Sequence, residues 1–67
     1  MPAPKFTPEQ FLDAALAKVE SKSIRAWAQS DHNRPLWLKL AGNTLQKHGD
    51  AASTDGFAAF VVLSALG

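Results

Sequence analysis

Two histidines are the only plausible side chains in this sequence for acid–base catalysis near neutral pH or for zinc binding. His32 and His48 lie 16 positions apart, and the chain contains no cysteine. Zinc sites and zinc-dependent catalysts need closer spacings, such as H-x-x-x-H or H-E-x-x-H on one helix. We therefore expect no metal site. We expect His32 to be a solvated turn residue and His48 to lie at the C-terminus of a helix.

Other catalytic patterns are equally weak. Asp31 precedes His32, but adjacent side chains rarely face one another, and no serine stands in a recognisable nucleophile motif. The four glycines are seven or more positions apart and form no phosphate-binding loop. The sequence thus predicts a protein that is not an enzyme, with no cofactor and no evident small-molecule substrate.

Positive charge is concentrated in the middle of the chain. The net charge is +1 overall, but residues 18–48 hold six Lys and Arg side chains against two acidic ones, a net charge of +4. Trp27 and Trp37 can both be core residues, since aromatic residues at helical spacing usually pack inward. If one of them is exposed and anchors a partner, we expect it to be Trp37, because Trp and Arg dominate interface energetics. The residues predicted to contact a protein partner are Arg25, Arg34, Trp37, Lys39 and Lys47.

The same basic region supports a second hypothesis, a nucleic-acid-binding protein resembling a helix-turn-helix. Its reading face would consist of Lys39, Asn43, Gln46 and Lys47, because Asn and Gln pair with adenine while Lys binds guanine or phosphate. However, a recognition helix presents its first turn to the bases, and here residues 35–38 are apolar. We therefore keep nucleic acid as the alternative partner.

The elements that must position these residues are predicted to be helices. Thr7, Pro8 and Gln10 have the pattern of a helix N-terminus, and Gly49 has that of a C-terminus. Pro35 is expected to hold Arg34 in an extended conformation. The prediction is one all-α domain over residues 1–67, a small bundle of about four short helices. The helices are placed near residues 7–20, 23–30, 35–48 and 54–66, after an extended arm at residues 1–6.

The last predicted helix has almost no polar side chains. Residues 57–66 contain a single polar residue, Ser64, so the helix has no solvent face of its own. Either it is the central helix of the bundle, or part of it is covered by a second copy or another protein. We expect Phe60 to be buried, and we expect Leu38 and Leu45 to lie at the partner-facing edge of the third helix.

Length and composition define the class of protein. A chain of 67 residues buries only about 60% of its unfolded surface, so its stability margin is narrow. The lack of cysteine fits the reducing cytoplasm, and the longest apolar run is too short to cross a membrane. The sequence predicts a small cytoplasmic adaptor or inhibitor without catalytic activity. Its partner would be a larger protein with an acidic surface, or a second copy in a homodimer.

Overall fold

The chain folds into four α-helices joined by short connections, which confirms the all-α class predicted from the sequence. The structure, a computed structural model, describes residues 6–67 except for the side chain of Asp50. The helices are α1 (Pro8–Leu16), α2 (Lys22–Gln29), α3 (Arg34–His48) and α4 (Thr54–Leu66), and a 3-10 turn at Gly49–Ala51 precedes α4. The predicted arm at residues 1–6 lies, apart from Phe6, outside the described residues.

The N-terminus of α1 is held by a reciprocal capping box. The Gln10 backbone N–H donates to Thr7 Oγ1, and the Thr7 backbone N–H donates to Gln10 Oε1, each at 3.1 Å. Pro8 occupies the first turn, where its missing N–H leaves no helical hydrogen bond unmade. The Phe6 ring meets the Phe11 ring edge to face with centroids 6.0 Å apart. This contact across the cap fixes the direction in which the chain enters α1.

α1 ends at Leu16, earlier than the predicted residue 20. The Lys18 and Val19 N–H groups donate to the carbonyls of Ala15 and Leu16, each at 3.0 Å, so hydrogen bonds to the third preceding residue replace the α-helical ones. Such bonds tighten the end of a helix. The tighter turn places Val19 in the core, where it is buried although it lies outside α1. Ser21 then caps α2 by accepting a hydrogen bond from the Ile24 N–H at 3.3 Å.

A polar turn joins α2 to α3. The Ser30 Oγ and Asn33 Nδ2 groups both donate to the Trp27 carbonyl oxygen, at 2.9 and 3.0 Å, and so satisfy an acceptor at the end of α2. The prediction that Arg34 is extended is wrong. The Trp37 N–H donates to the carbonyl of the N-cap Asn33 at 3.1 Å, which is the first hydrogen bond of α3, and Arg34 is the first residue of the helix. Pro35, in the first turn, leaves no helical bond unmade.

Gly49 separates α3 from the last part of the chain. Its φ of 56° is a conformation that residues with a side chain rarely adopt, and it turns the chain out of α3. Ser53 caps α4 by accepting a hydrogen bond from the Gly56 N–H at 3.1 Å. α4 therefore forms a helix, as its apolar sequence predicts. None of the four described helices combines the length and apolar character that crossing a bilayer requires.

The core is built around α1. Four side chains of α1 are almost completely buried: Phe11, Leu12, Ala15 and Leu16. α1 packs mainly against α3 and α4, and α2 also contacts both of these helices. The Phe11 ring meets the Phe57 ring of α4 edge to face at a centroid distance of 5.2 Å. The central helix is thus α1, and α4 lies against it with one side facing solvent.

Candidate interaction surface

The basic residues do not form one continuous patch. Arg34 is partly engaged within the fold, because its Nη1 lies 3.3 Å from Asp13 Oδ1 of α1. Lys18 is paired with Asp55 at 2.6 Å. Arg25 is half-buried on α2, whereas Lys39 and Lys47 are exposed on α3. Lys39 and Lys47 are therefore the two predicted cationic contact residues that are exposed on the same helix face.

The two tryptophans differ in solvent exposure, and the more exposed one is Trp27. Trp37 is 5% exposed, whereas Trp27 is 37% exposed, so the prediction that Trp37 is the more exposed indole is wrong. The reason is aromatic packing. The Trp37 ring meets the rings of Trp27, Phe57 and Phe60 at centroid distances of 5.9, 5.8 and 5.6 Å, each close to edge to face. Trp37 thus supports the surface from beneath, and Trp27 and Phe60 are its solvent-facing neighbours.

The outer face of α3 carries two exposed leucines among its polar residues. Leu36 is 57% exposed and Leu40 is 38% exposed, one helical turn apart. The leucines expected at this edge, Leu38 and Leu45, instead pack inward: Leu45 is buried and Leu38 packs partly against the core. Sequence reasoning missed Leu36 and Leu40 because both belong to one broad apolar arc of α3. Only the packing shows that the part of the arc with Trp37, Ala41 and Leu45 faces inward. We define the α3 face by its exposed members: Leu36, Lys39, Leu40, Asn43, Gln46 and Lys47.

The only charged side chains of the α3 face are two lysines, Lys39 and Lys47. Helix α3 contains no acidic residue, and its residues 39 and 47 are lysines. Asn43, Gln46 and the two lysines are all exposed, so the proposed reading face for nucleic acid is available to solvent. Leu36 lies at the start of this face, in the position from which a recognition helix reads bases. The face can therefore bind a ligand that is both anionic and apolar.

An open groove runs between α3 and α4. Its volume is about 380 Å³, and Ala51 of the 3-10 turn is one of the residues that line it. Thr44 and His48 form the α3 wall, and they follow Leu40 at four-residue intervals on one line of the helix. Phe57 and Phe60 form the α4 wall. Phe60 lines the groove and is also exposed to solvent on α4.

The exposed side of α4 is apolar. Phe60, Leu63 and Leu66 are 48%, 67% and 76% exposed, so the prediction that Phe60 is buried is wrong. The physical reason is that α1, α2 and α3 together cover only the side of α4 that carries Phe57, Ala58 and Val61. We call Phe60, Leu63 and Leu66 the α4 stripe.

The side chains that the structure describes form no metal-binding cluster. His32 and His48 are both exposed, and they lie on different elements, in the turn before α3 and at its end. No three His, Cys, Asp or Glu side chains in this part of the chain are close enough to share a metal ion. Within the same residues, no buried side-chain nitrogen or oxygen lacks a hydrogen-bond partner. The described site is thus a surface, composed of the α3 face, the groove and the α4 stripe.

No protein-family model, curated protein or solved structure shows significant similarity to this chain. The chemistry of these surfaces is therefore the basis for assigning a function.

Proposed function

We propose that this chain is a small, non-catalytic protein-binding module that docks on a larger protein through the α3 face. In this role it would act as an adaptor or inhibitor, and its partner would present acidic side chains around an apolar contact. Its lack of cysteine is compatible with a partner in the reducing cytoplasm.

The observation that carries the proposal is the pairing of exposed leucines with lysines on one helix face. Leu36 and Leu40 are the apolar element; they are 57% and 38% exposed, so burying the rest of each side chain is worth roughly half of the 1.5–3 kcal/mol of a fully exposed leucine. Lys39 and Lys47 flank them, and no acidic residue of α3 neutralises them. An acidic partner would be steered to this face and held by the leucines.

Site-specific photo-crosslinking in the cells that produce the protein tests this proposal. A photoreactive amino acid at position 40 should form a defined crosslink to one protein, and the same amino acid at position 22, on exposed α2, should not. Reversing the charge with Lys39→Glu and Lys47→Glu should remove the crosslink, because the acidic partner would then be repelled. The Lys22→Glu variant is the matched control and should retain it. Equal crosslinking from positions 22 and 40 would contradict the proposal.

Nucleic-acid binding is the second candidate, because Lys39, Asn43, Gln46 and Lys47 are exposed together. It makes a distinct prediction for a short DNA duplex. Binding would weaken steeply as salt is raised, since release of counterions from phosphates supplies the affinity. Duplex binding that Lys39→Glu abolishes and Lys22→Glu preserves would favour this candidate over a protein partner.

A further inference from the structure

The α4 stripe differs from the α3 face in having no charged residue nearby on its own helix. The one charged residue of α4 is Asp55, in the first turn, and it is paired with Lys18. From Gly56 to Leu66 the helix carries no charge, and its exposed positions are apolar except for Ser64. An acidic partner suited to the α3 face would find no complementary cation here. The α4 stripe instead fits a surface that is itself uncharged.

The spacing of the α4 stripe is symmetric. Phe60 and Leu66 each lie three residues from Leu63, on either side of it along the helix. When two such helices pack antiparallel around a two-fold axis at Leu63, Phe60 of one copy lies level with Leu66 of the other. The same patch then serves both copies, as a two-fold contact requires.

The antiparallel arrangement also suits the charges of α4. Asp55 lies eight residues from Leu63, about 12 Å along the helix. The two Asp55 carboxylates are then about 24 Å apart along the helix direction, well beyond the screening length of about 8 Å at physiological ionic strength. The two helix dipoles oppose each other as well, whereas a parallel pair would bring like ends together.

We propose that α4 forms a two-fold, antiparallel contact with α4 of a second copy, centred on Leu63. This inference is independent of the proposed function, because it uses a different surface. Taking a fully exposed large side chain as roughly 200 Å², the three residues of the α4 stripe leave about 400 Å² of apolar surface. That is about a tenth of the molecular surface of 4602 Å². Two copies bury about 800 Å², which is below the size of a standard stable interface and defines a weak dimer.

A weak dimer is best measured by sedimentation over a range of concentrations. The wild-type protein should be monomeric at low micromolar concentration and should dimerise with a measurable dissociation constant as the concentration approaches about 1 mM, because contacts of this size are weak and transient. Leu63→Glu should raise that constant at least about tenfold, because two carboxylates would meet unpaired at the axis. The matched control is Leu36→Glu, on the α3 face, which should leave the dissociation constant unchanged. Far-UV circular dichroism should show both variants folded, because both positions are exposed.

The absence of cysteine allows a direct test of the axis. A Leu63→Cys variant has a single thiol. In the proposed dimer this thiol lies next to the same thiol of the second copy, and the two should form an intermolecular disulfide under mild oxidation. Leu36→Cys, exposed to a similar degree, should form it far more slowly. An equimolar mixture of Phe60→Cys and Leu66→Cys should give more mixed disulfide than the twofold excess over each homodimer that random pairing produces.

Three results would overturn the inference. One is a wild-type protein that stays monomeric up to about 1 mM. Another is a folded Leu63→Glu variant that dimerises as well as the wild type, which would place the contact elsewhere. The third is equal rates of disulfide formation for Leu63→Cys and Leu36→Cys. None of these results would affect the crosslinking test of the α3 face.

Discussion

Trp27 and Trp37 meet edge to face, with ring centroids 5.9 Å apart and ring planes at 70°. One of the pair is buried and the other is more than one-third exposed. Trp37 also contacts Phe57 and Phe60. It therefore links α2, α3 and α4, whereas Trp27 covers one edge of this cluster.

This asymmetry predicts different costs for removing the two indoles. Trp37→Ala should lower the free energy of unfolding by about 3–5 kcal/mol, because it leaves a cavity among three aromatic rings. Trp27→Ala should lower it by about 1 kcal/mol, close to the value of a single aromatic pair. Urea titrations followed by circular dichroism measure both values. Equal losses would mean that Trp37 does not form the centre of the cluster.

A second prediction compares two phenylalanines. Phe11 is fully buried and Phe60 is about half exposed, so the same substitution should have unequal effects. Phe11→Ala should cost about 3–5 kcal/mol, which is most of the stability of a chain this small. Phe60→Ala should cost roughly 1 kcal/mol, because it loses two ring contacts but leaves no enclosed cavity. The experiment is thermal unfolding at a concentration below the dimer range. A Phe60→Ala variant as unstable as Phe11→Ala would contradict the exposed position of Phe60.

Gly42, inside α3, provides a third prediction. A Cβ at Gly42 would lie 3.5 Å from Pro8 Cγ, an ordinary van der Waals distance. Gly42→Ala should therefore stabilise the protein by about 1 kcal/mol through higher helix propensity. For a domain of this size, that gain corresponds to a rise in melting temperature of about 4–8 °C.

Gly49→Ala is the control for that substitution. A Cβ at Gly49 would meet nothing within 4 Å, but its φ of 56° makes alanine strained there. The expected loss is about 1–3 kcal/mol. A destabilised Gly42→Ala variant would show that α1 and α3 pack more closely than the Pro8 contact indicates.

The ion pair between Arg34 and Asp13 supplies a fourth prediction. Both side chains are partly solvated, so the pair should contribute less than about 1 kcal/mol. Arg34→Glu places two carboxylates together and should destabilise the fold slightly, and the charge exchange Asp13→Arg with Arg34→Glu should restore most of the loss. Unfolding at low and at high salt checks this, because salt should reduce the effect of the single substitution. A loss of several kcal/mol would show that the pair is part of the core.

Local signals in the sequence located the four helices well. The capping box of Thr7 and Gln10, the cap at Ser53 and the positive φ of Gly49 depend on residues close together in the chain. Such patterns can be read without knowing the fold. The end of α1 was misplaced for the opposite reason. Val19 continues the helical spacing of apolar residues, but it reaches the core through a tighter turn.

Local sequence patterns could not predict which side of each helix faces the core. On α3 and α4 apolar residues extend around most of the helix, so the pattern alone does not choose between Trp37 and Leu36, or between Val61 and Phe60. Packing against α1 makes that choice, and it depends on contacts between distant parts of the sequence. The lysine positions of the α3 face were read correctly as exposed, because polar residues leave no such ambiguity.

The central place of α1 affects how the protein is made. α1 is the earliest of the four helices to be synthesised, yet Phe11 finds its partner Phe57 only in the last of them. α3 can cover part of α1 during translation, but the side of α1 that contacts α4 stays exposed until α4 has left the ribosome. We therefore expect a chain truncated before α4 to aggregate.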